Sequence, residues 1–301
     1  ALLPPLATLQ GAGHVARAII TNGSFANIRA LSSVWNTPPS FFAVGVAHEN
    51  SGGKTQILNV GPDGKICDLD QSSQRTVLAL QGANIETGIT QVVDSVITAI
   101  APTYVALDYS ASPNLPLPTR WDSAIFDATS WQGPAGIGIL AIRNATAWKN
   151  PLPNLGIRRT PESSSLPLLL ASAVALDVWI KEEESESLRI KKLNKTIRDL
   201  LLAANIGITF AGAVSDSVSQ TIALVADGCV GEDLVRQLNE INFVLDSGSA
   251  CTAAQMQPSH VLAALAMQSE GNLRITLHHG VTEAEVRELV SAITSVVQQS
   301  R

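Results

Sequence analysis

Charged residues are scarce in this chain, making up 15% of it, and the 20 Lys and Arg are outnumbered by 26 Asp and Glu for a net charge of −6. With no basic patch to neutralise a row of phosphates, nucleic acid is excluded as the principal partner. Cysteine is also rare: Cys67, Cys229 and Cys251 are widely spaced, odd in number and free of any CxxC pairing. That pattern excludes a disulfide framework and predicts unpaired thiols in a reducing, cytoplasmic setting. The longest apolar run, residues 166–180, is broken by Pro167 and Asp177 and is too short to cross a bilayer comfortably. The first residues lack a basic start before their apolar stretch, so neither a membrane span nor a secretory leader is expected.

What remains is a chain that is 46% hydrophobic over 301 residues, enough for one large α/β domain or two of ordinary size. Short β-rich runs at 16–21, 41–47, 75–80, 104–109, 123–126 and 138–142 alternate with helical or turn segments. Several are continuously apolar, as expected of strands covered on both faces in a doubly wound sheet. Residues 144–165 carry three prolines and read as a crossing loop, after which a helical stretch runs from Leu168 through an acidic, solvated face at 181–186 to Ala204. A second pattern follows: strand 221–226, helix 232–240, strands 243–245 and 273–277, and a last helix opened by Thr282 and Glu285 in capping-box spacing. These runs predict a large α/β domain over 1–182 and a smaller one over 183–301.

Within the second pattern lies Asp246-Ser247-Gly248-Ser249-Ala250-Cys251-Thr252, followed by Pro258-Ser259. A thiol flanked by small residues between a strand and a helical run is open to reagents, whereas a structural Cys is usually walled in by Leu, Ile and Val. Taken alone, it fits an unreactive loop cysteine as well as a nucleophile. The tandem His278-His279 has no further spaced ligands, so no metal is expected.

The segments SGSACTAAQMQPSHVLAALAM and NLRITLHHGVTEAEV resemble the small domain of the class V aminotransferases, and specifically the cysteine desulfurases with the longer catalytic-cysteine loop. The resemblance implies the aspartate aminotransferase-like fold (fold type I), with a large, mostly parallel sheet domain and a smaller C-terminal α/β domain. It also implies a homodimer, pyridoxal phosphate as cofactor and L-cysteine as substrate. In that family the loop cysteine attacks the substrate sulfur and becomes a persulfide, a role that falls to Cys251 and suits a soft thiolate. Arg274 matches the arginine that clamps the substrate carboxylate. His48 matches the histidine that stacks on the pyridine ring, and Asp108 the aspartate that keeps the ring nitrogen protonated. Asn84 belongs to a loop that approaches cofactor and substrate, and Gly23 with Ser24 to the turn that cradles the phosphate.

Departures from the family pattern are concentrated at the cofactor. Ser130 stands at the lysine that binds pyridoxal phosphate, in Thr129-Ser130-Trp131-Gln132-Gly133-Pro134, and a hydroxyl cannot form an imine. Lys149 lies in the next loop, without the rigid placement the reaction needs. Phe25, Ile85 and Ala111 replace residues expected near the cofactor, and Glu162 puts a carboxylate near a phosphate-contacting arginine position. The resemblance further implies that the chain starts some tens of residues late. The expectation is a desulfurase-like protein with impaired or lost turnover, and a cofactor held, if at all, without a Schiff base. The alternatives are a functioning enzyme with noncovalent cofactor, or a noncatalytic sulfur carrier or dimeric scaffold that serves a sulfur-acceptor protein in sulfur or iron-sulfur metabolism.

Overall fold

The computed structural model describes residues 58–67, 69, 76–144, 146, 165–247, 259–267 and 270–301, together with the backbone of 7–9. The runs expected at 16–21 and 41–47, the turn with Gly23 and Ser24, His48, Lys149, Glu162 and Cys251 lie outside the described residues. The described residues form two compact units. The first is drawn chiefly from 66–83 and 91–182, the second from Val60–Lys65, Asn84–Thr90 and Glu183–Arg301.

The first unit is built on a five-stranded sheet in the order β1-β5-β4-β3-β2. Its strands are β1 (Ala7–Leu9), β2 (Val77–Gln81), β3 (Tyr104–Asp108), β4 (Ser123–Asp127) and β5 (Gly138–Ile142). Strands β2, β3 and β4 are mutually parallel, β5 is antiparallel to β4, and β1 is antiparallel to β5. Four strands therefore run one way and β5 alone is reversed, so the sheet is mostly parallel as expected. The unbroken apolar runs follow from burial on both faces: all five residues of β2 are buried. Helix α1 (Val93–Ile100) joins β2 to β3 and was not legible as a helix in the sequence. It buries Val93, Val96, Ile97 and Ile100 at helical spacing against Leu78, Leu80, Val105 and Leu107.

Helix α2 (Leu166–Ala203) is a single 38-residue helix. Its early turns pack Leu168, Leu169, Ala175, Leu176 and Trp179 around Trp131. Its last turns bury Ile190, Leu193, Ile197 and Leu201 in the core of the second unit. No helix among the described residues is long and apolar enough to cross a membrane.

The second unit holds a three-stranded antiparallel sheet in the order β6-β7-β8, made of β6 (Ile208–Ala211), β7 (Thr221–Ala226) and β8 (Asn272–Thr276). In β7, Ile222 and Leu224 join the core formed by α2, α3 (Gly231–Glu240) and α5 (Glu283–Gln299), while Ala223 and Val225 pack with Ile89, Leu262 and Leu265. Both faces are covered, which is why the strand reads TIALVA without a polar alternation. Gly271 lets β8 start against β7, since a Cβ there would lie 2.0 Å from the Ala226 carbonyl oxygen. The Thr282 and Glu285 capping box at the start of α5 is formed in both directions.

The strand expected at 243–245 does not form. Val244 is 83% exposed, and the nearby strand contact is an isolated bridge of Asp246 with Arg274. Phe243 and Leu245 pack half-buried against the core as a strand's inner face would, but no backbone ladder forms along the segment beyond that bridge. The helical run expected over 261–267 is the short α4 (His260–Ala264), ended by the left-handed backbone of Ala266 at φ 53°.

Candidate active site

In the first unit, Gln81 pairs with Asp108 and Asp108 with Ile125 in parallel register, so the carboxyl ends of β2, β3 and β4 lie together. That end of a parallel sheet is where α/β proteins place ligand-binding groups. Asp108, 3% exposed, closes β3 there. Its Oδ1 accepts hydrogen bonds from the Ser110 N–H at 2.8 Å and the Ser110 hydroxyl at 2.6 Å. Its Oδ2 is buried with no partner among the described residues. Burial holds the Asp108 carboxyl above the usual carboxylate range, against the pull of the Ser110 hydrogen bonds, and repulsion from Asp127 adds to the rise.

The end of β4 turns sharply. Asp127 caps a 3-10 turn over Ala128–Trp131, its Oδ1 accepting from the Thr129 N–H at 2.8 Å and the Thr129 hydroxyl at 2.7 Å. The Ser130 hydroxyl donates to the Asp127 carbonyl at 2.7 Å. Trp131, 2% exposed, anchors the turn by donating its indole N–H to the Ser172 carbonyl at 3.3 Å. Gln132 closes it in the left-handed region at φ 63°. These bonds tie the turn at both ends, and the side chain at position 130 is an alcohol engaged with its own backbone.

The second unit gathers a different set. The Asn84 Oδ1 accepts from the N–H groups of Glu86 at 3.0 Å and Thr87 at 2.9 Å, shaping the 84–90 loop from within. Glu86, 4% exposed, accepts the Ser259 hydroxyl proton at 2.7 Å. Burial raises the Glu86 pKa, while the Ser259 hydrogen bond and the positive charge of Arg274 oppose the rise. Ser259 also caps α4 by accepting from the Leu262 N–H at 3.2 Å. Arg274 lies in β8, its Nη2 donating to Asp246 Oδ2 at 2.5 Å. Among the described residues no three His, Cys, Asp or Glu side chains gather as a metal site.

Of the residues expected to matter, Asp108 and Ser130 fall on neighbouring strand ends of the first unit, and Asn84 and Arg274 belong to the second. Ser110 and Asp127 carry no signal in the sequence, Glu86 belongs to the same loop as Asn84, and Asp246 and Ser259 stand at the ends of the Cys251 motif without a role of their own being read there. Ser259 was within reach, since a Ser after Pro and before an apolar helical run is an N-cap signal. The partners of Glu86 and Arg274 depend on long-range pairing that no local pattern encodes.

The site fits pyridoxal phosphate at one point and not at another. A buried carboxyl with an unmet acceptor oxygen suits the N–H of a protonated pyridine ring. A serine hydroxyl does not suit covalent attachment of an aldehyde, because it has no nitrogen with which to form an imine.

No family model matches the chain. A cysteine desulfurase from Bradyrhizobium diazoefficiens is 28% identical over 186 residues, 60% of this chain and 47% of that protein. A mitochondrial cysteine desulfurase from Eremothecium gossypii is 26% identical over 268 residues, 83% of this chain and 54% of that one. The chain spans about half the length of the curated relatives it matches. Among solved structures, a NifS-like protein superposes with a TM-score of 0.84 at 19% identity, covering 98% of this chain and 82% of that one. The apo cysteine desulfurase of Thermococcus onnurineus gives a TM-score of 0.80 at 14% identity, covering 98% of this chain and 79% of that one. These superpositions assign the aspartate aminotransferase-like fold (fold type I).

Proposed function

Because the chain is a cysteine desulfurase-like protein of the class V aminotransferase family, we propose that it keeps the sulfur-handling end of that chemistry and has lost, or nearly lost, the lysine-dependent turnover. The observation that supports this reading is the turn after β4, where the side chain at position 130, matched by resemblance to the family lysine, is an alcohol bound to the Asp127 carbonyl. Serine can neither carry the cofactor as an imine nor act as an effective base near neutral pH.

Asp108 would hold the ring nitrogen of pyridoxal phosphate, with His48 against the ring and Gly23 and Ser24 at the phosphate. When bound, the cofactor supplies an electron sink for cleavage of the substrate C–S bond. Arg274 binds the substrate carboxylate, Asn84 shapes the loop beside it, and Cys251 receives the sulfur as a persulfide for a sulfur-acceptor protein. We place this protein in the cytoplasm as a homodimer acting in sulfur or iron-sulfur metabolism.

Incubation with L-cysteine and pyridoxal phosphate tests the reading. The expected result is alanine and sulfide release at or near background, with Cys251 still able to accept a persulfide from an active desulfurase. Multiple turnovers that are abolished by Cys251→Ala would overturn it.

A further inference from the structure

Arg274 meets a carboxylate of the chain itself, and the backbone fixes the two residues opposite one another. The Arg274 N–H donates to the Asp246 carbonyl at 2.6 Å, the Asp246 N–H donates to the Arg274 carbonyl at 3.2 Å, and the side chains close an ion pair at 2.5 Å. The Arg274 side chain is 23% exposed and that of Asp246 is 57% exposed. The guanidinium is therefore sheltered, while its partner reaches in from solvent. Asp246 belongs to no strand, since its pairing with β8 is an isolated bridge. Its side chain can swing away without dismantling the sheet.

From this geometry we infer that Asp246 is a specificity-determining residue: an internal carboxylate that occupies Arg274 and must be displaced before a ligand carboxylate can bind there. The inference rests on the reading of Arg274 as the carboxylate clamp. Competition is built in, because the tethered carboxylate faces the guanidinium at an effective concentration that a dilute amino acid cannot match. The competitor and the ligand group are chemically the same, so the arginine fork that suits one suits the other. A partly exposed ion pair of this kind weakens an incoming carboxylate by roughly two- to fivefold, and the pair is open enough to yield to a ligand that brings further contacts. Arg274 would then discriminate against small free carboxylates in favour of ligands anchored elsewhere as well.

The test is titration of the full chain with L-alanine carrying a carbon-13 carboxylate, followed by its chemical shift, with L-alaninamide as the control that lacks the carboxylate. Asp246→Asn, which keeps the backbone bridge, is expected to tighten L-alanine binding about two- to fivefold and to leave L-alaninamide unchanged. Unchanged or weakened L-alanine binding in Asp246→Asn, with clear loss in Arg274→Ala, would overturn the role of Asp246 while leaving Arg274 as the clamp. If Arg274→Ala changes nothing in either background, the clamp reading itself fails, and the inference with it. Matching melting curves for the variants and the parent establish that folding is not what changed.

Discussion

Asp108→Asn isolates the charge of the buried carboxyl at the end of β3. The amide keeps the shape of the side chain and an oxygen to accept from the Ser110 N–H and hydroxyl, and it removes the titration while setting an NH2 group in place of Oδ2. The folded chain holds the Asp108 carboxyl above its ordinary value through burial, so the folded state keeps a proton that the unfolded chain has already released. Its stabilising contribution is then fully present below the ordinary carboxylate pKa and is lost as pH rises through the folded value. A buried polar atom without a partner costs about 1–3 kcal/mol, and more when charged. Relative to the parent, the variant should therefore become progressively more stable in cofactor-free buffer as pH rises from about 4 to about 8, the parent alone losing stability as its carboxyl is forced to ionise. At about 2–4 °C of melting temperature per kcal/mol, circular dichroism melts across that range resolve the difference. Added pyridoxal phosphate should reverse the order near neutral pH, raising the melting temperature of the parent and not of the variant. Parallel melting temperatures for the two proteins at every pH would refute the claim that a shifted carboxyl sits at this strand end.

The remaining predictions concern the second unit. Ser259→Ala removes both the hydrogen bond to buried Glu86 and the cap of α4, and should destabilise the chain by about 1–3 kcal/mol in urea unfolding; a change below the error of the fit would show that neither bond contributes. Ile197→Ala opens a cavity where α2 meets β7 and α5, at a residue with 0% exposure, and should cost about 2–5 kcal/mol by the same measurement. Thr282→Ala breaks the capping box of α5 and should cost about 0.5–2 kcal/mol, with the loss recovered in large part by Thr282→Ser.

Elements whose burial leaves a local signature were legible in the sequence. Strands β5 and β7 coincide with the apolar runs 138–142 and 221–226, and the start of α5 with the Thr282 and Glu285 spacing. Helix α1 and strand β6 escaped because both are short and set between turn-forming residues, so tertiary packing rather than propensity decides them. The run 243–245 misled for the converse reason: its apolar composition faces solvent at Val244. At the site, residue identity pointed to Asp108, Ser130 and Arg274. The partners that set their chemistry, Ser110 apart, come from other segments or, for Ser130, from the backbone of its own turn. The 84–90 loop shows the same limit, because it joins the second unit through bonds such as Thr90 N–H to Asp216 and Val218 N–H to Gly88, across more than a hundred residues of sequence.

The proposal that Ser130 takes the place of the cofactor-binding lysine is tested most directly by covalent trapping. The full chain is incubated with pyridoxal phosphate, reduced with borohydride, and digested for mass spectrometry. The account predicts no reduced pyridoxyl adduct at any single lysine above the level of surface labelling, with the cofactor removable by dialysis. A stoichiometric adduct on one lysine, resistant to dialysis before reduction, would contradict it.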